Sequence, residues 1–133
     1  MMRAILVEDD PHNATLFRKL LEKRLGFAVM HTEDPAELFT AVAEGGVDLI
    51  VLDVSLRRSA WDGHAVGGVE LCRLLKSDPA NANIPVLLAT AHAMRGDAER
   101  LLAESGADFY VSKPIVDHDE FVACIRKLVG RAA

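Results

Sequence analysis

The sequence predicts an α/β fold, a doubly wound parallel sheet with helices on both faces. Short apolar runs alternate along the chain with longer segments that have helical spacing, and this alternation is typical of βα units. Two runs, DLIVLD at 48–53 and IPVLLAT at 84–90, are almost continuously apolar, as expected for central strands buried on both faces. With 133 residues, 50% of them hydrophobic, the chain has enough material for one domain, residues 1–133, with its own core.

Charge and hydropathy exclude several classes of protein. The formal net charge of −5 at pH 7 argues against a nucleic-acid surface, which requires clustered lysine and arginine on one face. No apolar run approaches the ~18 residues of a membrane span, and acids interrupt the apolar start too early for a signal peptide. The protein is therefore predicted to be cytoplasmic, with no direct contact to nucleic acid or membrane. Cys72 and Cys124 fit no metal-ligand spacing and are predicted to be reduced, buried thiols.

The first βα unit is a short strand followed by an amphipathic helix. The strand is ILVE, and its apolar run stops at three consecutive acids, Glu8, Asp9 and Asp10. The apolar residues of the helix recur on one face: Leu16, Phe17, Leu20, Leu21 and Leu25. Gly26 is in position to end this helix. Because Pro11 favours a first helical turn, Asp10 is predicted to be the N-cap, which leaves Glu8 and Asp9 as an acidic pair.

The remaining units follow the same alternation. The second strand is FAVMH, and DPAE at 34–37 then supplies an N-cap Asp, a first-turn Pro and an N3 Glu for the second helix. DLIVLD and IPVLLAT are the third and fourth strands, each followed by a segment with helical spacing. ADFYVS is the fifth strand, and Asp117 and Glu120 repeat the capping spacing before the last helix.

Polar side chains stand at the carboxyl ends of these strands, where ligands bind in an open parallel sheet. The residues found there are Glu8 and Asp9 after the first strand, Asp53 at the end of the third, Thr90 at the end of the fourth and Lys113 after the fifth. Clustered carboxylates repel one another unless a cation or a proton lies among them. An oxygen-rich pocket of this kind suits Mg2+, which binds one or two carboxylates and completes its octahedron with water and phosphate oxygens.

Four motifs, in their order and separations, resemble the receiver domains of bacterial two-component response regulators: ILVEDD, LIVLD, LLATA and YVSKP. The stretch TAHAMRGDAERLLAESGADFYVSKPI is especially similar to single-domain receivers of the DivK and CheY type. The resemblance covers essentially the whole chain. It implies a flavodoxin-like sheet of five parallel strands in the order 2-1-3-4-5 with five helices. It also implies a stand-alone response regulator that signals through protein contacts.

The same resemblance assigns chemistry to the acidic residues. It implies that Asp53 accepts a phosphoryl group from a phosphohistidine on a sensor histidine kinase or a histidine phosphotransfer protein. The implied ligands of Mg2+ are Glu8, Asp9, Asp53 and the main-chain carbonyl of Ser55. Aspartyl phosphates are recognised covalent intermediates, and transfer of this kind needs alignment and charge neutralisation more than covalent help from the protein.

Lys113, Thr90 and Tyr110 complete the mechanism that the resemblance implies. Lys113 would neutralise charge on the phosphoryl group, and the Thr90 hydroxyl would bind one of its oxygens. Thr90 and Tyr110 would couple phosphorylation to the surface of the fourth helix, fifth strand and fifth helix. Phosphorylation then biases two pre-existing states, one of which a downstream protein effector prefers. Receivers can also form homodimers through this surface, and the Lys113–Pro114 bond resembles the family's cis peptide.

Other functions compete with this interpretation. The chain would not be an enzyme, because only Mg2+-dependent autophosphorylation and autodephosphorylation are implied. The main alternative is a receiver-like binding module that works without phosphorylation. A small phosphatase of the haloacid dehalogenase type requires a second Asp two residues after the nucleophile, where this chain has Ser55. A flavodoxin-like cofactor binder requires a Gly-rich loop after the first strand, where acids stand instead.

The segment after Asp53 departs from the family pattern. It is longer than the usual receiver loop by about seven residues, an extension that surface loops tolerate. Residues 57–67 include two arginines and Trp61, which either packs on its own loop or contributes to a partner-docking surface. The family's Asp-Gly motif matches either Asp62–Gly63 or Gly67–Gly68. Four histidines lack metal-ligand spacing and are predicted to be ordinary polar residues: His12, His31, His64 and His118. His92, two residues after Thr90, is predicted to have a rate-tuning or surface role.

Overall fold

The computed structural model describes residues 2–54, 60–61, 64–65, 67–91 and 97–132. These residues form seven strands: β1 (Arg3–Val7), β2 (Ala28–Thr32), β3 (Leu49–Asp53), β4 (Ala60–Trp61), β5 (His64–Ala65), β6 (Val86–Thr90) and β7 (Phe109–Ser112). They also form five α-helices: α1 (Pro11–Lys19), α2 (Pro35–Glu44), α3 (Gly68–Ser77), α4 (Asp97–Ser105) and α5 (His118–Ala132). A π-helical turn, Leu20–Arg24, continues α1.

Five of the strands form one parallel sheet in the spatial order β2-β1-β3-β6-β7. Counted among themselves, these strands have the order 2-1-3-4-5, so the predicted doubly wound α/β sheet with five helices is confirmed. The sequence pattern does not predict the other two strands. β4 and β5 pair antiparallel inside the extended loop, Ala60 with Ala65 and Trp61 with His64.

Two hydrophobic layers enclose the sheet, because successive side chains of a strand point to opposite faces. In β1, Leu6 belongs to the layer that contains Phe17 of α1 and Ile125 of α5. Its neighbour Ile5 belongs to the opposite layer, with Leu38 of α2. The predicted central strands β3 and β6 are buried along their whole length. The position of the strand ends is therefore set by packing on both faces.

Side-chain caps begin three of the helices where the sequence predicts them. The carboxylates of Asp10 and Asp34 each accept the backbone N–H two residues on, both at 2.9 Å. The carboxylate of Asp117 accepts the N–H three residues on at 3.0 Å. The predicted capping role of Glu37 takes a different form, because its carboxylate accepts a hydrogen bond from the Thr32 hydroxyl at 2.9 Å. That hydroxyl in turn accepts a hydrogen bond from the N–H of Asp34. The Thr32 side chain, at the end of β2, therefore links the Glu37 carboxylate to the N-cap backbone.

The first helical segment ends at Gly26, as predicted. Gly26 has a φ of 74°, a left-handed conformation that glycine adopts without steric cost. The N–H of the next residue, Phe27, donates to the carbonyl of Leu21 at 2.9 Å and closes the helix. Both cysteines are free, Cys72 buried and Cys124 half-buried. No helix among the residues just described combines the length and apolar composition that crossing a bilayer requires.

Helix α3 begins directly against the end of β3. The Gly68 N–H donates to the Val54 carbonyl at 3.2 Å, and a Cβ atom added to Gly68 would overlap the main-chain carbonyl of Asp53. Glycine is the residue that allows backbone segments to approach this closely. Of the two Asp-Gly matches that the sequence leaves open, the second stands at the start of α3, with Gly67 as the N-cap and Gly68 as the first helical residue. The alternative match falls outside the described residues.

Replacing Gly68 with Ala should lower the free energy of unfolding by about 1–3 kcal/mol, the usual cost of overpacking, because α3 or the Asp53 main chain must move. Gly130→Ala in α5 is the control, since a Cβ added there meets open space. It should be neutral or stabilise the protein by up to about 1 kcal/mol. Urea denaturation followed by circular dichroism measures both variants. A Gly68→Ala protein as stable as the wild type would contradict the close approach.

Candidate functional site

The candidate site lies at the carboxyl edge of the main sheet, where β1 and β3 end side by side. Val7 pairs with Leu52 in the parallel register, so Glu8 follows β1 next to Asp53, the last residue of β3. Both acids are buried, with exposed fractions of 1% and 2%. Two carboxylates are thus removed from water at neighbouring strand ends, an arrangement that is costly unless positive charge or protons compensate.

The Lys113 side chain supplies positive charge between these two acids. Its ammonium nitrogen Nζ lies 2.9 Å from Asp53 Oδ1 and 3.0 Å from Glu8 Oε1. The main chain brings it there, because the Lys113 N–H donates to the Thr90 carbonyl at the end of β6 at 2.8 Å. The bond to Pro114 is cis, as the resemblance implied. The site therefore joins residues from the ends of four strands.

Burial and hydrogen bonding shift the ionisation of this cluster. Burial, together with the hydrogen bond and charge of Asp53, raises the pKa of Glu8 from 4.5 to about 7, against the opposing effect of Lys113. Burial lowers the pKa of Lys113, but its hydrogen bonds to Asp53 and Glu8 outweigh that effect, so the net pKa is raised. Lys113 therefore keeps its positive charge. This single ammonium is outnumbered by the carboxyl groups of Glu8, Asp9 and Asp53.

The acids have the chemistry and spacing of a site for a hard divalent cation. One carboxylate oxygen from each of Glu8, Asp9 and Asp53 lies within 4.8 Å of the others. Mg2+ prefers oxygen ligands and uses one or two protein carboxylates with water or phosphate oxygens in the remaining positions. This donor set fits Mg2+. The main-chain carbonyl of Ser55, predicted as a further ligand, lies outside the described residues.

The turn that carries the acidic pair is tied down by its own hydrogen bonds. Glu8 Oε2 accepts the N–H groups of Asp9 and Asp10, at 3.1 and 3.4 Å. The Nε2 atom of His31, in β2, lies 2.7 Å from the main-chain oxygen of Glu8. The sequence pattern treats His31 as an ordinary polar residue. It does not reveal this contact, because the register of β1 against β2, Leu6 opposite His31, cannot be read from spacing.

The two predicted switch residues occupy different positions relative to the acids. Thr90 is buried at the last position of β6, and its carbonyl contacts Lys113 as described. Tyr110 lies further back in β7, opposite Leu88 of β6. It is half-buried, and its ring centroid is 5.4 Å from that of Phe109. Thr90 is thus at the site edge, whereas Tyr110 lies along the strand that leads to Lys113.

Most of the extended loop after β3, and the separate segment after β6 that carries His92, fall outside what the structure describes. Residues 55–59, 62–63, 66 and 92–96 are in this group, which includes the two loop arginines and His92. Trp61 is described only as part of β4. The two alternatives for Trp61, packing on its loop or docking a partner, therefore stay predictions.

Known proteins share this sequence pattern. The family model of the response regulator receiver domain matches residues 4–126. The polar-differentiation response regulator DivK of Brucella anthropi is 35% identical over 128 residues, which are 96% of this chain and 96% of that protein. DivK of Brucella ovis has the same identity and coverage. The resemblance stated from the four motifs is confirmed.

Solved structures share the fold. The receiver domain of a sensor histidine kinase from Pseudomonas aeruginosa, determined with a magnesium ion coordinated in its active site cleft, is 25% identical and has a TM-score of 0.79, covering 97% of this chain and 98% of its own. The signal receiver domain of a signal transduction histidine kinase from Syntrophus aciditrophicus is 27% identical with a TM-score of 0.80, covering 98% and 92%.

Removing the Glu8 charge should flatten the pH dependence of stability in metal-free protein. A folded pKa of about 7 against 4.5 means that the folded state binds more protons than the unfolded state between these pH values. The free energy of unfolding therefore falls as pH rises from about 4.5 to about 7, by an amount on the order of 2–3 kcal/mol. In Glu8→Gln this fall should be absent.

Urea unfolding in EDTA across this pH range measures the difference between the two proteins. Glu44→Gln, which removes an exposed acid at the end of α2, is the matched control and should follow the wild-type curve. Parallel curves for the wild type and Glu8→Gln would show that Glu8 ionises as an ordinary surface carboxyl.

Proposed function

Because the chain belongs to the response regulator receiver family and is a two-component response regulator, we propose that Asp53 is its phosphoacceptor. The donor is a phosphohistidine on a sensor histidine kinase or a histidine phosphotransfer protein, and the cofactor is Mg2+. The phosphorylated receiver domain, spanning residues 1–133, then binds a downstream protein effector. Both the donor and the effector act in the cytoplasm, where ATP-derived phosphoryl groups are available.

One observation supports this proposal above the others. The Asp53 carboxylate is buried at a strand end, with Oδ1 2.9 Å from the Lys113 ammonium nitrogen. One of its oxygens also lies within 4.8 Å of a carboxylate oxygen of Glu8 and of Asp9, close enough for all three to bind one metal ion. Phosphoryl transfer is catalysed mainly by positioning and by positive charge around the transferred group. A nucleophilic carboxylate with an ammonium and a cation site beside it meets that requirement.

The proposed transfer forms one bond and breaks another. An oxygen of the Asp53 carboxylate bonds to the phosphorus as the P–N bond of the phosphohistidine breaks, and the donor imidazole leaves with the electron pair. The Lys113 ammonium neutralises negative charge on the transferred group. The Thr90 hydroxyl, at the end of the adjacent strand β6, binds a phosphoryl oxygen. Transfer is stoichiometric. Autodephosphorylation, in which water attacks the phosphorus, the Asp53 carboxylate leaves and inorganic phosphate is released, resets the protein.

The proposed metal ligands are the carboxylates of Glu8, Asp9 and Asp53 and the main-chain carbonyl of Ser55. When bound there, Mg2+ supplies positive charge to the phosphoryl oxygens and offsets the repulsion among the acids. The three carboxylates hold the metal-binding oxygens within one small volume, so this chain provides the site before any donor protein arrives.

Signalling in this proposal is a population shift. Thr90 contacts the phosphoryl group, and Tyr110 on the adjacent strand β7 responds by a change in its packing. The phosphoryl group shifts the equilibrium between the two states only by the difference in its interaction free energy with each of them. The surface of α4, β7 and α5 then binds the effector, or a second copy of the chain, in one of those states.

Incubation with acetyl phosphate and Mg2+ followed by intact mass measurement tests the proposal. The wild type should gain the mass of one phosphoryl group, and the gain should disappear in EDTA. Asp53→Asn should gain nothing, because its amide is not a nucleophilic carboxylate. Asp48→Asn is the matched control, since Asp48 precedes the opposite, amino end of the same strand and bonds to the Arg3 N–H; it should be phosphorylated like the wild type.

Two outcomes would count against phosphorylation at Asp53. If the Asp53→Asn protein still gained the mass of a phosphoryl group, the phosphoacceptor would be a residue other than Asp53. A wild-type chain that takes no phosphoryl group from acetyl phosphate, nor from a phosphorylated histidine phosphotransfer protein, would favour a receiver-like binding module that works without phosphorylation.

A further inference from the structure

His31 in β2 makes a short hydrogen bond to the main chain of the acidic pair. Its Nε2 lies 2.7 Å from the Glu8 carbonyl oxygen. A carbonyl oxygen can only accept, so Nε2 carries the proton and donates it. The ring is otherwise exposed to solvent, which means that it is not held in place by the hydrophobic core. Its contact with Glu8 is therefore a specific polar interaction at the site edge.

The Glu8 carbonyl lies just beyond the last ladder pair of β1 and β2, Val7 opposite Thr32. A backbone carbonyl that leaves a sheet beside a buried carboxylate needs another hydrogen-bond donor. His31, one residue before the end of β2, provides it. The imidazole thus extends the ladder by one side-chain hydrogen bond at the point where the strand turns into the acidic pair.

Both ends of the Glu8–Asp9 peptide unit are consequently fixed. Its C=O accepts from His31, and its N–H donates to Glu8 Oε2 at 3.1 Å. Since a peptide unit is planar and rotates as one body, fixing its C=O and N–H fixes the position of the Asp9 Cα, from which one metal-binding side chain leaves, relative to Glu8. We infer that His31 is a positioning residue for the acidic pair, which holds the Glu8–Asp9 peptide in the orientation that lets both carboxylates bind Mg2+.

This inference rests on the proposed Mg2+ site, and it assigns no ligand or acid–base role to the imidazole. Residues that orient metal ligands from outside the coordination sphere commonly change metal affinity by about 10–100-fold when they are removed. Because His31 contacts a main-chain oxygen and is solvent-exposed, the lower end of that range, about tenfold, is expected here.

The matched variants are His31→Gln and His31→Met. Gln carries an N–H donor the same number of bonds from Cα as Nε2 of histidine, whereas Met has similar length and no donor. His118→Met, at the exposed first turn of α5, is the control for loss of a surface histidine. Isothermal titration calorimetry with Mg2+ gives the dissociation constant of each protein, and thermal unfolding in EDTA reports whether each one folds.

His31→Met should bind Mg2+ about tenfold more weakly than the wild type, whereas His31→Gln should lie within about threefold and His118→Met should be unchanged. In metal-free ¹H–¹⁵N spectra, the Asp9 and Asp10 amides should shift in His31→Met and return towards their wild-type positions in His31→Gln. Recovery with Gln separates hydrogen bonding from a general loss of fold. Equal Mg2+ affinity in the Met and Gln variants would overturn the inference.

The proposed function can fail separately. A wild type that binds Mg2+ but accepts no phosphoryl group would remove Asp53 as the acceptor, while the Met and Gln affinities would still decide the role of His31. A wild type that binds no Mg2+ would overturn both proposals.

Discussion

The contact of the Lys113 ammonium with Asp53 and Glu8 is the interaction on which the site depends. Two carboxylates with almost no exposed surface stand at neighbouring strand ends, and burial by itself favours their neutral forms. Lys113 lies within 3.0 Å of both. This cation keeps negative charge available where a metal ion and a phosphoryl group would be bound, and the raised pKa of Glu8 shows that its compensation is incomplete.

The fold serves this contact by fixing four strand ends at one edge. Hydrophobic layers on both faces hold β3 and β6, so Asp53 and Thr90 cannot shift along the strand without exposing apolar side chains. The backbone hydrogen bond from Lys113 to the Thr90 carbonyl holds Lys113 against the end of β6. The Asp10 cap fixes the start of α1 directly after the acidic pair. The polar residues are few, and their positions follow from the packing of the apolar ones.

Sequence patterns predict the alternation of strands and helices, the caps and the residues at the strand ends, because these follow from local spacing and from the rule that parallel strands end together. The strand order comes from the resemblance to receiver domains. Sequence patterns do not predict the His31 contact, which depends on the register of two strands far apart in sequence. Nor do they predict the β4–β5 pair or the π-helical turn at Leu20–Arg24, since short elements of this kind carry no periodic signal. The close approach of Gly68 to the Asp53 main chain is likewise a three-dimensional fact that spacing does not reveal.

Val54 marks both borders of the inserted loop. The chain leaves the sheet there, with the Val54 N–H bonded to the Ala89 carbonyl, and it returns with the Gly68 N–H bonded to the carbonyl of the same residue. A loop whose two ends meet at one clamped residue pays only a slowly growing entropic penalty for added length. Such a loop can therefore differ in length between proteins of this fold while the backbone at Val54, and with it the position of Asp53, stays fixed.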